Sequence, residues 1–379
     1  MKKIFWIGWI GLLLFEVANV YFIMPLPGSQ QMSSIDIAYF LHQWRWVFRV
    51  FFGLMMITGL LRWKAKRKWL LIIPVAVLVA VVYMTNFVMA ADHMFYQPSS
   101  KLMAPASKNT VDLNWLVIGV VNNGEAKAYP IRFLGYHHQV QDTIGGKPVI
   151  VTYCTVCRTG RVFEPIINGR HEQFRLVGMD HFNAMFEDAS TKSWWRQVSG
   201  EAIKGVLKGQ QLPEVFSSQT SLAQWLQINP NSLIMQADPA FIKSYDSTLK
   251  YESGTSKSKL TGTDSLSWKD KSWVIGIKAG KERRAYDWNK LFEQRIIQDQ
   301  AGSIPILLVL AKDNKSFFAF ERPGEKVLFE LRGDTLLSNN YSYRVNGKGI
   351  DTSYSLKPLP AYQEFWHSWR TFNPGTSRN

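Results

Sequence analysis

The sequence predicts an α+β, strand-dominated exported domain made of two duplicated lobes and preceded by three transmembrane α-helices. Three observations carry this reading. Residues 1–91 are strongly apolar and basic, the remainder alternates short β-branched runs with Asn/Gly turns, and that remainder matches itself at a nearly constant offset. Hydrophobic residues make up 46% and aromatics 14% of the 379 residues, which excludes a disordered chain or a low-complexity fibre. Two cysteines are too few for a disulfide-dense secreted scaffold.

The net charge of +15 is unevenly spread. Residues 1–91 hold nine Lys/Arg against Glu16 and Asp36, a net of +7, and the rest holds 35 bases and 27 acids. The apolar run Ile4–Ile23 ends at Pro25-Leu26-Pro27, Trp46–Leu61 forms a second run around Arg49, and Trp69–Ala91 is free of charge. A helix needs about 20 apolar residues to cross a bilayer, so spans are expected at about 4–24, 42–61 and 69–91. Lys2 and Lys3, and the loop Arg62–Lys68, mark the cytoplasmic side. Everything after Asp92 is then periplasmic or extracytoplasmic, anchored in the inner (cytoplasmic) membrane. No small-x-small cleavage site precedes Pro25, so the first span is expected to be retained rather than removed as a signal peptide. Glu16 and Arg49 read as an interhelical pair or as snorkelling groups in preference to a proton path, because no further polar ladder accompanies them. The concentrated charge anchors topology and is no nucleic-acid footprint.

In the exported half, Trp115-Leu-Val-Ile-Gly-Val, Ala128-Tyr129 and Asp142–Tyr153 recur as Trp273-Val-Ile-Gly-Ile, Ala285-Tyr286 and Asp299–Leu310, offset by 157–158. Leu212-Pro213, Trp225 and Asn229-Pro230 recur as Leu359-Pro360, Trp369 and Asn373-Pro374, offset by 144–147. Two lobes are expected, 105–238 and 262–379, with a Ser/Thr/Lys/Gly-rich linker near Ser253–Thr263. Within the first lobe, Asn122-Asn123-Gly124 joins two strands as a hairpin. Ile131–His138 predicts a short helix, Val149–Tyr153 a buried strand, and Leu222–Gln227 a closing helix. Arg161–Ile167 and Gln173–Val177 are expected to pair around Asn168-Gly169.

Cys154-Thr155-Val156-Cys157 follows the buried strand, and the second lobe has no thiol at the matching positions near Ala311 and Asn314. Three readings stand side by side. A redox pair needs a lowered thiol pKa; Arg158 and Arg161 supply charge, but the strand-like Arg161–Phe163 does not fit a thioredoxin-type helix. A metal knuckle would offer two thiolates to Zn or Cu(I), completed by His181 and by Met179, which favours Cu(I). His137, His138 and His171 stand behind these, with Asp180 and Glu201 as supporting carboxylates. A structural disulfide is the third reading. Trp194 and Trp195 could floor a ligand pocket with Gln197 and Glu201 as polar partners; taken alone, buried Trp beside exposed polar groups is the commoner arrangement.

Val151-Thr-Tyr-Cys154-x-x-Cys157-x-Thr-Gly160, the segment Gly178-Met-Asp-His181, Lys192-Ser-Trp-Trp-x-Gln197-x-x-Gly-Glu201-Ala-Ile-x-Gly205, Trp225 and Asn229-Pro230 follow one another in an order that resembles the bacterial domain-of-unknown-function family 3179. The resemblance covers about Asn114 to Asp238 well and the second lobe weakly. Where that family reads Cys-Pro-Leu-Cys-Gly, this chain has Thr155, Val156 and Arg158, and it has Glu187-Asp188 and Ser193-Trp194 where Asp-Arg and Ser-Leu-Trp are usual. The resemblance implies domain limits and a candidate site, and no activity. The expected function is a metal-binding or thiol-redox module centred on Cys154 and Cys157. The alternative is a non-catalytic ligand-binding or assembly domain of the cell envelope. The expected partners are the lipid bilayer and a small ligand or envelope protein. Nucleophile-elbow, zincin, P-loop and dinucleotide motifs are absent from the sequence.

Overall fold

The computed structural model describes residues 2–63, 68–246, 264–338, 341–351 and 353–379; the expected linker Ser253–Thr263 lies outside them. The chain forms two compact units. One comprises Met1–Tyr96, Gln173–Arg196 and Glu201–Gln210; the other comprises Gln97–Glu172, Gln197–Gly200 and Gln211–Asn379.

The first unit joins a helical layer to a small antiparallel sheet. One helix, Lys2–Tyr21, is long and apolar enough to cross a membrane. This corrects the expectation of three spans. The second run is bent by 63° at Trp44 into Ile35–Gln43 and Arg45–Arg62, and counts as a span only if the bent pair is taken together. The third run begins as a 3₁₀ turn, is α-helical over Ile72–Tyr83 and ends in a π turn at Met84–Val88, so its regular part falls short of a span. Pro74 has no N–H to give to a preceding turn and is accommodated in the first turn of this helix. Glu16, fully buried, receives Arg49 Nε at 2.7 Å and Asn86 Nδ2 at 2.9 Å, so these two ionisable groups form an interhelical pair. The sheet runs Phe174–Asp180, Asn183–Asp188, Trp194–Arg196, Ala202–Lys204, each strand paired to the next.

The second unit is strand-rich. The hairpin Leu116–Asn122/Glu125–Pro130 turns through Asn123 and Gly124, both at positive φ. It is flanked by Ser217–Ser221 on one side and Leu233–Met235 on the other. The helix Ile131–His137 leads to a meander of Gln139–Ile144, Lys147–Cys154 and Thr159–Phe163. Further along, Trp273–Ala279/Glu282–Asp287 is flanked by Ala361–Phe365 and Ser377–Arg378, and the helix Trp288–Gln294 leads to Ile296–Ala301, Ile304–Leu310 and Phe317–Glu321. The order of pairing is the same in both sets. The details agree too: Tyr129 and Tyr286 donate to Asp142 and Asp299, and Trp225 and Trp369 donate to Ser232 and Thr376. Those tryptophans lie over Gly119 and Gly276, where a Cβ would come within 2.2 and 2.1 Å of the indole. Apolar cores fill each set, around Val151 and Trp225 in one and Leu308 and Tyr286 in the other.

The expected pairing around Asn168-Gly169 shrinks to Ile166–Ile167 with Arg170–His171. The strand before it stops at Phe163 because Pro165 cannot donate to a ladder. Phe174–Asp180 pairs instead with Asn183–Asp188.

Candidate functional site

Cys154 ends its strand, and Thr155-Val156-Cys157-Arg158 is the turn that returns the chain to Thr159, which pairs with Cys154. Arg158 closes the turn at φ 56°, a left-handed conformation uncommon for a side chain of its size. The turn is seated against the junction between the strand Ala361–Phe365 and the helix Trp366–Phe372. Phe365 N–H donates to Cys157 O at 3.0 Å, and Lys271 Nζ donates to Val156 O at 2.9 Å. His367 Nε2 lies 3.2 Å from the same carbonyl and 3.3 Å from Lys271 Nζ. Thr159 Oγ1 is 3.4 Å from Ser368 Oγ, which donates to Glu364 at 3.0 Å. Glu364 in turn pairs with Arg161, both fully buried, while Arg158 lies 3.8 Å over the Trp273 ring and donates twice to Gln363 Oε1.

Both cysteines are fully buried thiols, and they hydrogen-bond to each other. Burial pushes the Cys157 thiol well up, with the Cys154 contact adding to this; Ser368 and Lys271 oppose it. Burial brings Lys271 down to about 8, against the pull of Cys157 and Cys154. Burial, reinforced by Lys271, takes His367 down to about 3, so its imidazole is neutral at neutral pH. The site therefore sets a Cys157 thiol that burial holds in its protonated form beside an amine that burial lowers to about 8.

The corresponding turn of the second set, Ala311 to Ser316, meets the junction of Ser217–Ser221 with the helix Leu222–Ile228. Ser221 Oγ donates to Asp313 at 2.6 Å and Ser221 N–H to Ser316 Oγ at 2.9 Å. Hydroxyls and a carboxylate thus hold one seam where thiols, an amine and an imidazole lie at the other.

The other expected site residues are distributed differently. Gln197 belongs with the cysteine turn, donating to Thr152 Oγ1 at 2.9 Å and Thr159 O at 3.0 Å. Trp194 and Trp195 are buried in the first unit, with their indole N–H groups donating to Glu187 and Asp188. Glu201 is half-exposed beside Arg196. His181, also in the first unit, bonds Asp180 at 2.7 Å, which raises its pKa; Met179 is buried in the adjoining strand. Asp180 stays below the usual carboxylate range despite burial because His181 and Arg196 hold it there. His137 contacts Tyr245 Oη at 2.7 Å, and His138 is the C-cap of the helix Ile131–His137. His171 is exposed. Among the described residues, no three His, Cys, Asp or Glu side chains are gathered to hold a metal ion.

Sequence reasoning missed Lys271, His367 and Ser368. The available signal is a difference between the two strand sets: Trp366-His367-Ser368-Trp369 stands where the first set has Leu222-Ala223-Gln224-Trp225. Residues peculiar to one helix face cysteines peculiar to the other set's turn. Next to this seam, a cavity of about 450 Å³ is lined by Trp115, Arg158, Trp273, Trp288, Lys315 and Gln363.

The sequence model of a family described as "Protein of unknown function (DUF3179)" matches residues 98–376. No curated protein and no solved structure matches the chain.

Proposed function

The chain belongs to this family of unknown function, and from that premise we propose that it is a membrane-anchored envelope protein whose exported part, a duplicated pair of lobes, carries a thiol–disulfide module at their seam. One observation carries the reading: two buried thiols flank a turn whose Val156 carbonyl accepts from Lys271, an amine that burial lowers to about 8. When the seam parts enough to admit a disulfide while Lys271 stays buried, its amine accepts the proton of one thiol. The thiolate attacks a sulfur of a partner disulfide, releasing one thiolate. The second cysteine then displaces the mixed disulfide. Two electrons and two protons pass to the co-reactant, and a Cys154–Cys157 bond forms. A metal at Cys154 and Cys157 is supported less well, because among the described residues no third His, Cys, Asp or Glu joins them and Lys271 places a cation beside them. Duplication is supported by the matched pairing order and by the Gly–Trp and Tyr–Asp pairs above. Anchoring is supported by Lys2–Tyr21, with Lys2 and Lys3 favouring a cytoplasmic N-terminus.

The test is a joint assay of thiols and bound metals on the full chain in neutral detergent. The expected result is no stoichiometric metal and a thiol pair that converts reversibly to disulfide, with a potential in the range of thiol oxidoreductases, about −120 to −270 mV. Stoichiometric Zn or Cu lost in the Cys154→Ser/Cys157→Ser variant would replace this reading with the metal one. A pair that never oxidises would leave the second reading, a small-ligand site, which the aromatic cavity at Trp115, Trp273 and Trp288 favours.

A further inference from the structure

The first unit contains a cavity of about 720 Å³ at the bend between the helices Ile35–Gln43 and Arg45–Arg62. His42, Trp44, Arg45, Arg175, Glu187 and Lys192 line it. Its only carboxylate is already engaged. Glu187 receives Arg175 at 2.7 and 2.9 Å and Trp194 Nε1 at 3.1 Å, with His42 Nε2 at 3.2 Å. Arg175 is further neutralised by Asp92 at 3.0 Å. Arg45 and Lys192 are then the excess charge. Among the described residues, neither has a carboxylate within ion-pair distance, and Arg45 donates only to the His42 carbonyl. With Arg175, Glu187 and Asp92 counted, the cluster is net +1, and Arg45 and Lys192 are the cations without an ion-pair partner among the described residues, Arg45 being drawn to Glu187 only at longer range.

What lies beside it defines the ligand. The helix that Arg45 opens exposes Val47, Val50, Phe51, Leu54, Ile57 and Leu61, each at least half accessible. These positions recur at three- and four-residue intervals and form one apolar stripe. Trp44 and Trp46, 51% and 65% exposed, stand where the stripe meets the cavity, as aromatic side chains do at a membrane–water interface. A ligand that satisfies both features carries an anionic phosphodiester and acyl chains. We propose that this cavity binds the headgroup of an anionic glycerophospholipid, with its phosphate between Arg45 and Lys192 and its chains along the stripe. This inference rests on the membrane anchoring proposed above.

The experiment uses the full chain in lipid nanodiscs made either of neutral phosphatidylcholine or of an equal mixture with phosphatidylglycerol. Lipids retained after extraction into mild detergent are counted by native mass spectrometry. The wild type is expected to retain phosphatidylglycerol over phosphatidylcholine by about thirtyfold, the change that two basic side chains near a lipid phosphate supply. Arg45→Gln/Lys192→Gln is expected to lose the preference, and Arg45→Lys/Lys192→Arg to keep it, which separates loss of charge from loss of fold. Glycerol phosphate at millimolar concentration should not displace the lipid; displacement would assign the site to a soluble phosphate and overturn the proposal. Equal retention of both lipids by the wild type, or an undiminished preference in the Gln variant, would also overturn it. Failure of the chain to enter neutral nanodiscs at all would overturn the anchoring itself, together with the site.

Discussion

The side-chain amide of Gln219 donates to Gln363 Oε1 at 3.0 Å, and the two glutamines hold the same register position in the two strand sets. Gln219 is opposite Ile118 and Gln363 is opposite Ile275 in the corresponding strand pairs. The two positions meet where the two strand sets pack against each other within the second unit, as the two turns do. The same Gln363 oxygen also accepts from Arg158. The two glutamines are therefore chemically unequal. Gln363→Met, which removes the shared acceptor, is expected to cost about 1–3 kcal/mol in urea unfolding. Gln219→Met, at a half-buried position, should cost under about 1 kcal/mol. Equal effects would show that the shared acceptor does not matter.

Gly119 and Gly276 have no room for a methyl group beneath Trp225 and Trp369. Each Gly→Ala substitution is expected to destabilise by about 1–3 kcal/mol, through displacement of a buried indole. The fluorescence of the affected tryptophan reports it. A change below about 0.5 kcal/mol at either position would show that the ring moves freely there.

Lys271 should set the pH dependence of thiol oxidation. With a small-molecule disulfide as oxidant, the wild-type rate is expected to rise through a step near pH 8, where the amine loses its proton. Lys271→Met should slow oxidation about tenfold at pH 8 and remove the step. Lys271→Arg should keep charge stabilisation but show no step near 8. An unchanged profile in Lys271→Met would exclude the amine as proton acceptor.

Stability should fall on the acid side in two stages. Folded His367 stays neutral down to about pH 3, whereas an unfolded histidine protonates near 6.5. The unfolded state therefore binds more protons below 6.5, and stability declines from there toward 3. His138, held at about 4 by burial, acts in the same window, so His367→Gln should reduce the slope by about half rather than abolish it. His181, whose pKa is raised, contributes stability that is complete below 6.5 and lost above its folded value. Burial alone would raise Glu187; bonds from His42, Arg175 and Trp194 hold it at about 2. Its contribution is lost from about 4.5 downward to 2, and Glu187→Gln should flatten that lower limb. Chemical denaturation at fixed pH values resolves the two stages.

The strand-rich character was legible because it is local: Asn123-Gly124 forces a hairpin, and the β-branched run through Val151 has only a buried strand to occupy. The Cys154–Cys157 turn was legible for the same reason. Lys271 and His367 were not, since they reach Val156 from more than 100 residues away and carry no motif. The burial of Trp194 and Trp195 was legible as the commoner arrangement; their partners were not, since the N–H groups meet Glu187 and Asp188 across the sheet. The membrane run was over-counted because apolar length does not register the bend at Trp44 or the π turn after Tyr83.

The Cys157 carbonyl that accepts the Phe365 N–H ties the accessibility of both thiols to the parting of the two strand sets at this seam. An alkylating reagent can reach them only in the fraction of time the seam is open. When reclosing outpaces alkylation, the observed rate is the intrinsic rate of the thiol multiplied by an opening equilibrium constant. The cysteine pair is thus a built-in gauge of a local unfolding free energy. Any ligand that fills the neighbouring cavity and braces the seam would be read, without a label, as a slower clock.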